Sequence, residues 1–167
     1  MRLVAIVLIT VLFSCKASEK ETLIGVKGNE KNIETTENID FTVIKNGENS
    51  TYKKAQNIII TTQQEMDLAW GEMFAAYSRK PPIPMMDFET KQFLLVTMGE
   101  QASGGYSIKV KSITKTNNKT TVTIENAKPG KACNTTSALI YPFQLIEMPK
   151  IIEKLDFVSI SKINECK

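Results

Sequence analysis

Apolar residues repeat at helical spacing in one stretch of this chain, and almost everything after it repeats at the spacing of strands. Thr62 followed by Glu65 has the form of a capping box, in which each side chain satisfies a backbone N–H at the start of a helix. Behind it Met66, Ala69, Trp70, Met73, Phe74 and Tyr77 fall at i, i+3, i+4, i+7, i+8 and i+11, which is one apolar helical face. The pattern predicts one main amphipathic helix over about 62–78. Pro81-Pro82-Ile83-Pro84 cannot continue it.

On either side the period is two. Phe41-Thr42-Val43-Ile44-Lys45 is strand-like and runs into Asn46-Gly47, a turn signal. Asn57–Thr61 is a β-branched run. Phe93-Leu94-Leu95-Val96 is apolar without alternation, as in a central strand covered on both faces. Tyr106, Ile108 and Val110 alternate with Ser107, Lys109 and Lys111, giving one buried and one wet face. Asn117-Asn118 turns the chain into Thr120–Glu125, where Val122 and Ile124 share a face. The long apolar stretch 139–148 contains Pro142, which places an edge, a bulge or a bend there. Leu155–Ile163 supplies the last strand. No internal repeat is visible. Strands around one helix make the expected class α+β, with a largely antiparallel β-sheet.

The N-terminus carries a different signal. Arg2 precedes an apolar run from Leu3 to Phe13, and Ser14-Cys15 follows. That order reads as a secretory signal peptide over 1–14, too short to span a bilayer. Leu12-Phe13-Ser14-Cys15 resembles a bacterial lipobox, in which the cysteine accepts a diacylglycerol unit before cleavage on its N-terminal side. Lipidation at Cys15 would then anchor the chain, each buried methylene contributing about 0.8 kcal/mol. An ordinary secretory signal that happens to contain a cysteine is the alternative. Residues 15–40 are rich in Lys, Glu, Asn and Thr and lack aromatics, the composition of a flexible tether. Residues 41–167 then form a single globular domain, for which an apolar content of 42% is ample. The expected location is the cell envelope, on the periplasmic side or the surface.

Two cysteines remain, Cys133 and Cys166. Outside the cytoplasm a pair in a small domain usually bonds, though two free thiols fit the same sequence.

Much chemistry is absent from the sequence. The chain has no histidine, which removes Ser-His-Asp and Cys-His arrangements and His-ligated metals. Two cysteines cannot make a Cys₄ zinc site. The segment Gly99–Gly105 lacks the Lys-Ser/Thr of a phosphate loop. Asp87 and Glu89 read as a solvated turn. The charged residues, net +3, are scattered rather than gathered on one face, which argues against nucleic acid as a partner. No cofactor and no metal are expected, and the chain does not read as an enzyme.

One local feature stands out. In Gly99-Glu100-Gln101-Ala102-Ser103-Gly104-Gly105-Tyr106, adjacent glycines precede a regular strand, marking φ > 0 or a close backbone approach. Two readings stand: a tight connection between strands, or a partner-binding loop comprising Gln101, Ser103, Gly104, Gly105 and Tyr106.

These residues together resemble a family. The Trp70 helix, Met86-Asp87-Phe88, the strand running into Met98-Gly99, Ser103-Gly104-Gly105-Tyr106-Ser107-Ile108, Tyr141-Pro142-Phe143 and Met148-Pro149-Lys150 are similar to the C-terminal domain of the bacterial protease-complex subunit PrcB. The likeness spans about 41–163. Where that family often carries Pro-Tyr-His, this chain has Pro142-Phe143-Gln144. The resemblance implies a non-catalytic lipoprotein that binds an extracytoplasmic protein, a protease it stabilises or helps mature. An envelope structural or glycan-binding lipoprotein and a peptidase inhibitor are the rival expectations.

Overall fold

The structure, a computed structural model, describes residues 35–166. The expected signal peptide, Cys15 and most of the expected tether lie outside the described residues. The elements run β1 (Thr36–Asn38), β2 (Thr42–Gly47), β3 (Ala55–Ile60), α1 (Gln63–Met73), β4 (Lys91–Met98), β5 (Ser107–Thr116), β6 (Lys119–Pro129), β7 (Phe143–Pro149) and β8 (Leu155–Asn164). The class is α+β, as the periodicities imply.

The strands form two sheets rather than one. The first has the order β2-β7-β4-β3, antiparallel throughout. In the second, ordered β1-β5-β6-β8, the last pair is parallel. Alternation explains how they stack. Phe93 and Leu95 of β4, with Phe143 and Leu145 of β7, pack against Met66, Ala69, Trp70 and Met73 of α1. Their neighbours Leu94, Val96, Ile146 and Met148 point the other way, onto Ile108, Val110, Ile113, Val122, Ile124 and Leu155. The β4–β7 pair is therefore the middle layer between helix and second sheet, which is why Phe93–Val96 shows no alternation. Fully burying one such side chain contributes roughly 1.5–3 kcal/mol.

Thr62 is the N-cap, and the capping box with Glu65 is complete. The helix ends at Met73, short of the expected 78. Phe74 leaves helical dihedrals at φ −118° and ψ 18°, and its ring enters the core, 4.9 Å from Trp70 and 6.1 Å from Phe143 between centroids. The chain then turns back, with the Tyr77 N–H on the Phe74 carbonyl, and brings the Pro81 carbonyl within 2.9 Å of the Trp70 indole N–H.

Two further expectations are corrected. Asn46-Gly47 is not a hairpin turn: both residues sit in β2, paired with Gln144 and Phe143. A Cβ on Gly47 would lie 2.8 Å from the Phe143 ring, so the glycine makes room for a core aromatic. The fold also includes residues from the expected tether. Thr36–Asn38 pairs with β5, and Ile39 packs on the core between the sheets.

Candidate functional site

The Gly99–Tyr106 segment joins β4 to β5, and each of its glycines meets a local demand. Gly99 has φ +77° and would place a Cβ 2.9 Å from the Ala55 nitrogen. Gly105 has φ +87° and sits over Pro129, where a Cβ would come within 3.2 Å. Gly104 is buried, and a Cβ there would lie 2.6 Å from the Thr136 hydroxyl. Such contacts exclude any larger residue without movement of the neighbouring chain.

Backbone hydrogen bonds hold the segment along its length. The Glu100 N–H donates to the Lys53 carbonyl at 3.2 Å. Gln101 and Ile140 exchange two bonds, at 2.9 and 3.0 Å, and the Gly104 N–H donates to the Thr136 carbonyl at 3.1 Å. The Gln101 side-chain amide donates to the Met98 carbonyl at 3.3 Å, and the Ser103 hydroxyl to the Gly104 carbonyl, also at 3.3 Å. Tyr106 is half-buried, and Ala102 is exposed. At the rim the Tyr141 hydroxyl donates to the Glu100 carboxylate at 2.9 Å, and that hydrogen bond raises the phenol's pKa. The loop is thus a pinned connection whose outer face is open to solvent.

Its neighbour in space is the segment after β6. Cys133 is bonded to Cys166, with Cα atoms 5.1 Å apart, so of the two readings of these cysteines the disulfide holds. The Gly130 N–H donates to the Asn164 carbonyl at 2.8 Å and ties the same region to the end of β8. Together Gly104, Gly105, Cys133, Thr135, Thr136 and Cys166 line a surface depression of about 410 Å³. Gln101, Ser103 and Tyr106 do not line it.

A second concavity, of about 350 Å³, opens between the two sheets on the side of β3 and β8. Gln56, Asn57, Gln101, Asn126 and Ser159 supply its polar lining, over Met98, Ile108 and Ile124. None of its lining side chains is ionisable. The Asn126 Oδ1 is buried there without a hydrogen-bond partner among the described residues. The sequence reading missed this cleft. The available signal was Asn126 itself, an amide at the inward position that follows Val122 and Ile124.

Other residues singled out by sequence have structural places. Asp87 accepts the Glu89 N–H at 2.8 Å, the Thr90 N–H at 3.3 Å and the Thr90 hydroxyl, and these bonds lower its pKa in a turn that leads into β4. Phe88 stacks edge-on to Phe93 at 5.2 Å. Gln144 is buried, and its Oε1 accepts the Val110 N–H at 2.8 Å where the β5–β6 register shifts. It thereby links the two sheets. Among the described residues no three His, Cys, Asp or Glu side chains converge as metal ligands, and no helix is long and apolar enough to cross a membrane.

The chain segment holding the glycine loop, the register shift and Gln144 is also the one that carries a relationship. Residues 92–149 match the PrcB C-terminal family model. The matched segment begins in β4 and ends in β7, so it contains the middle strand pair, the pinned loop and Cys133. The helix, Cys166 and β8 lie outside it, and the match is narrower than the likeness over 41–163. Among curated proteins and among solved structures, nothing matches the chain significantly.

Proposed function

We propose that this protein is a non-catalytic envelope lipoprotein, lipidated at Cys15, whose PrcB C-terminal-like domain binds an extracytoplasmic protein partner. The partner class we favour is a secreted or surface protease that the domain stabilises or helps mature. The observation that carries the reading is the match of residues 92–149 to the PrcB C-terminal family model, a segment that contains the pinned loop and Cys133. The absence of histidine from the whole chain supports a binding role. The Ser14-Cys15 ending of the N-terminal apolar run supports the anchor.

The test is genetic. Cells lacking the chain should show reduced activity or impaired processing of an envelope protease, scored with activity-based probes on intact cells and medium. Re-expression should restore it, and a Cys15→Ser form should restore it poorly because it is not held at the membrane. Unchanged protease profiles in the deletion strain would count against the reading.

A second reading rests on the cleft between the sheets. Its uncharged lining and the unpartnered Asn126 acceptor suit a neutral ligand rich in hydroxyl or amide donors. Ligand that co-purifies with the protein and is lost on Asn126→Leu would favour that reading.

A further inference from the structure

We propose that β8 is a self-association edge, through which two copies of this chain join antiparallel about a twofold axis at Ser159. The strand is ten residues long and closes one side of its sheet; among the described residues nothing pairs with its outer edge. Its pairing with β6 runs from Leu155 to Asn164 without a register shift, and it contains no proline. Natural edge strands are usually short, bulged, kinked by proline or covered, because an open edge recruits another strand. Among the described residues this one has none of those protections, and its charges are confined to Asp156 and Lys162.

Its sequence also specifies a second copy of itself. Leu155 and Phe157 face the core between the sheets, so Asp156, Val158, Ile160 and Lys162 project from the opposite, solvent face. Val158 is 47% exposed. Asp156 and Lys162 are the only charged residues of the strand. Both lie with the charged groups of that face, Asp156 at 3.0 Å from Lys119 and Lys162 at 4.0 Å from Glu125.

Antiparallel pairing about Ser159 sets Asp156 opposite Lys162 of the second copy, and Lys162 opposite its Asp156. Val158 meets the second Ile160, and Leu155 meets the second Ile163. Opposite charges and β-branched pairs directly across an antiparallel ladder are favourable contacts. Sliding the register by two residues sets Asp156 against Ile160 or Asn164, and both ion pairs are lost. The first of those slips also brings Lys162 toward Lys154. The charge pattern therefore selects one register, and one sheet continues through both molecules. This inference does not depend on the identity of any protease partner.

The position of the axis supplies the test. In cells expressing the full chain, Ser159→Cys faces its own counterpart across the axis and should form a disulfide-linked dimer under mild oxidation. Ser161→Cys faces Phe157 instead and should crosslink about tenfold less, because a disulfide requires its two Cα atoms within about 7 Å. In the Ser159→Cys background, Asp156→Lys should lower the dimer yield about tenfold, because both ion pairs become like-charge contacts. The exchange Asp156→Lys/Lys162→Asp should restore it. No dimer from Ser159→Cys, equal dimer from Ser161→Cys, or indifference to Asp156→Lys would each overturn the proposal.

Discussion

Gly47 offers a sharp test of how the middle layer is packed. A Cβ built there lies 2.8 Å from the Phe143 Cε1 and 3.0 Å from its Cζ, whereas carbon atoms in contact sit about 3.5–4.0 Å apart. The ring would have to retreat by roughly 0.7 Å to reach that range. It has little room, being 1% exposed and edge-on to Phe74. Gly47 is not one of the positive-φ glycines, so alanine there meets no backbone strain, and the ring contact is isolated as the cause. Overpacking of this kind costs about 1–3 kcal/mol. Alanine recovers about 0.4–1 kcal/mol by restricting the unfolded chain. Gly47→Ala should therefore destabilise by a net of about 1 kcal/mol, and by no more than about 2.6 kcal/mol, lowering Tm by roughly 4 °C for each kcal/mol. Trp70 is the only tryptophan and is buried in the same layer, so its fluorescence reports the urea or thermal transition. In a Phe143→Leu background the same substitution should become neutral or stabilise by about 0.5 kcal/mol. An equal cost in both backgrounds would refute the argument, because the ring would then not be what the glycine accommodates.

Other perturbations read different parts of the fold. Gly71 lies within α1 with nothing near its missing Cβ, so Gly71→Ala should stabilise by about 1 kcal/mol in denaturant titration; a loss would mean the helix face is more crowded than described. Cys133 and Cys166 are separated by 33 residues, and replacing both by serine should cost up to about 4 kcal/mol on the chain-entropy model, read as a shifted urea midpoint. The Lys115 ammonium, together with the Thr120 hydroxyl, holds the Glu153 carboxyl near pKa 2, below its usual 4.5. A depressed folded-state pKa contributes stability that is present above the unfolded value and lost as pH falls through the folded one. Glu153→Gln should therefore flatten the stability profile between about pH 4.5 and 2 and leave its neutral-pH slope unchanged.

Local chemistry was legible wherever it was decided locally. The Thr62–Glu65 cap, the apolar face through Met73 and the Asn117-Asn118 turn each depend on residues a few positions apart. The unalternating Phe93–Val96 run announced burial on both faces, and the structure supplies the helix and the second sheet that cover it. What escaped was set by distant partners. Asn46-Gly47 has the composition of a turn, yet Gly47 answers to a ring nearly a hundred residues away in the chain. Phe74 and Tyr77 keep helical spacing, but the pull of Phe74 into the core ends the helix before Tyr77. Thr36–Asn38 is a polar edge strand with no apolar residue to reveal it. The parallel pairing of β8 with β6 leaves no mark in either strand's periodicity. At the candidate loop, the sequence showed that the backbone is unusual. Only the structure shows that Gly104 and Gly105 fit against Thr136 and Pro129.

Binding of an extracytoplasmic protein is the role proposed for the domain. It is tested most directly by crosslinking in the native organism, with capture of the full chain through a C-terminal tag and mass spectrometry of what comes with it. Wild type should be compared with Ala102→Arg, which alters the solvent-facing side of the pinned loop without entering the core. An envelope protease should be enriched with wild type and diminished with the variant. Reproducible capture of no protein other than the chain itself would contradict that role.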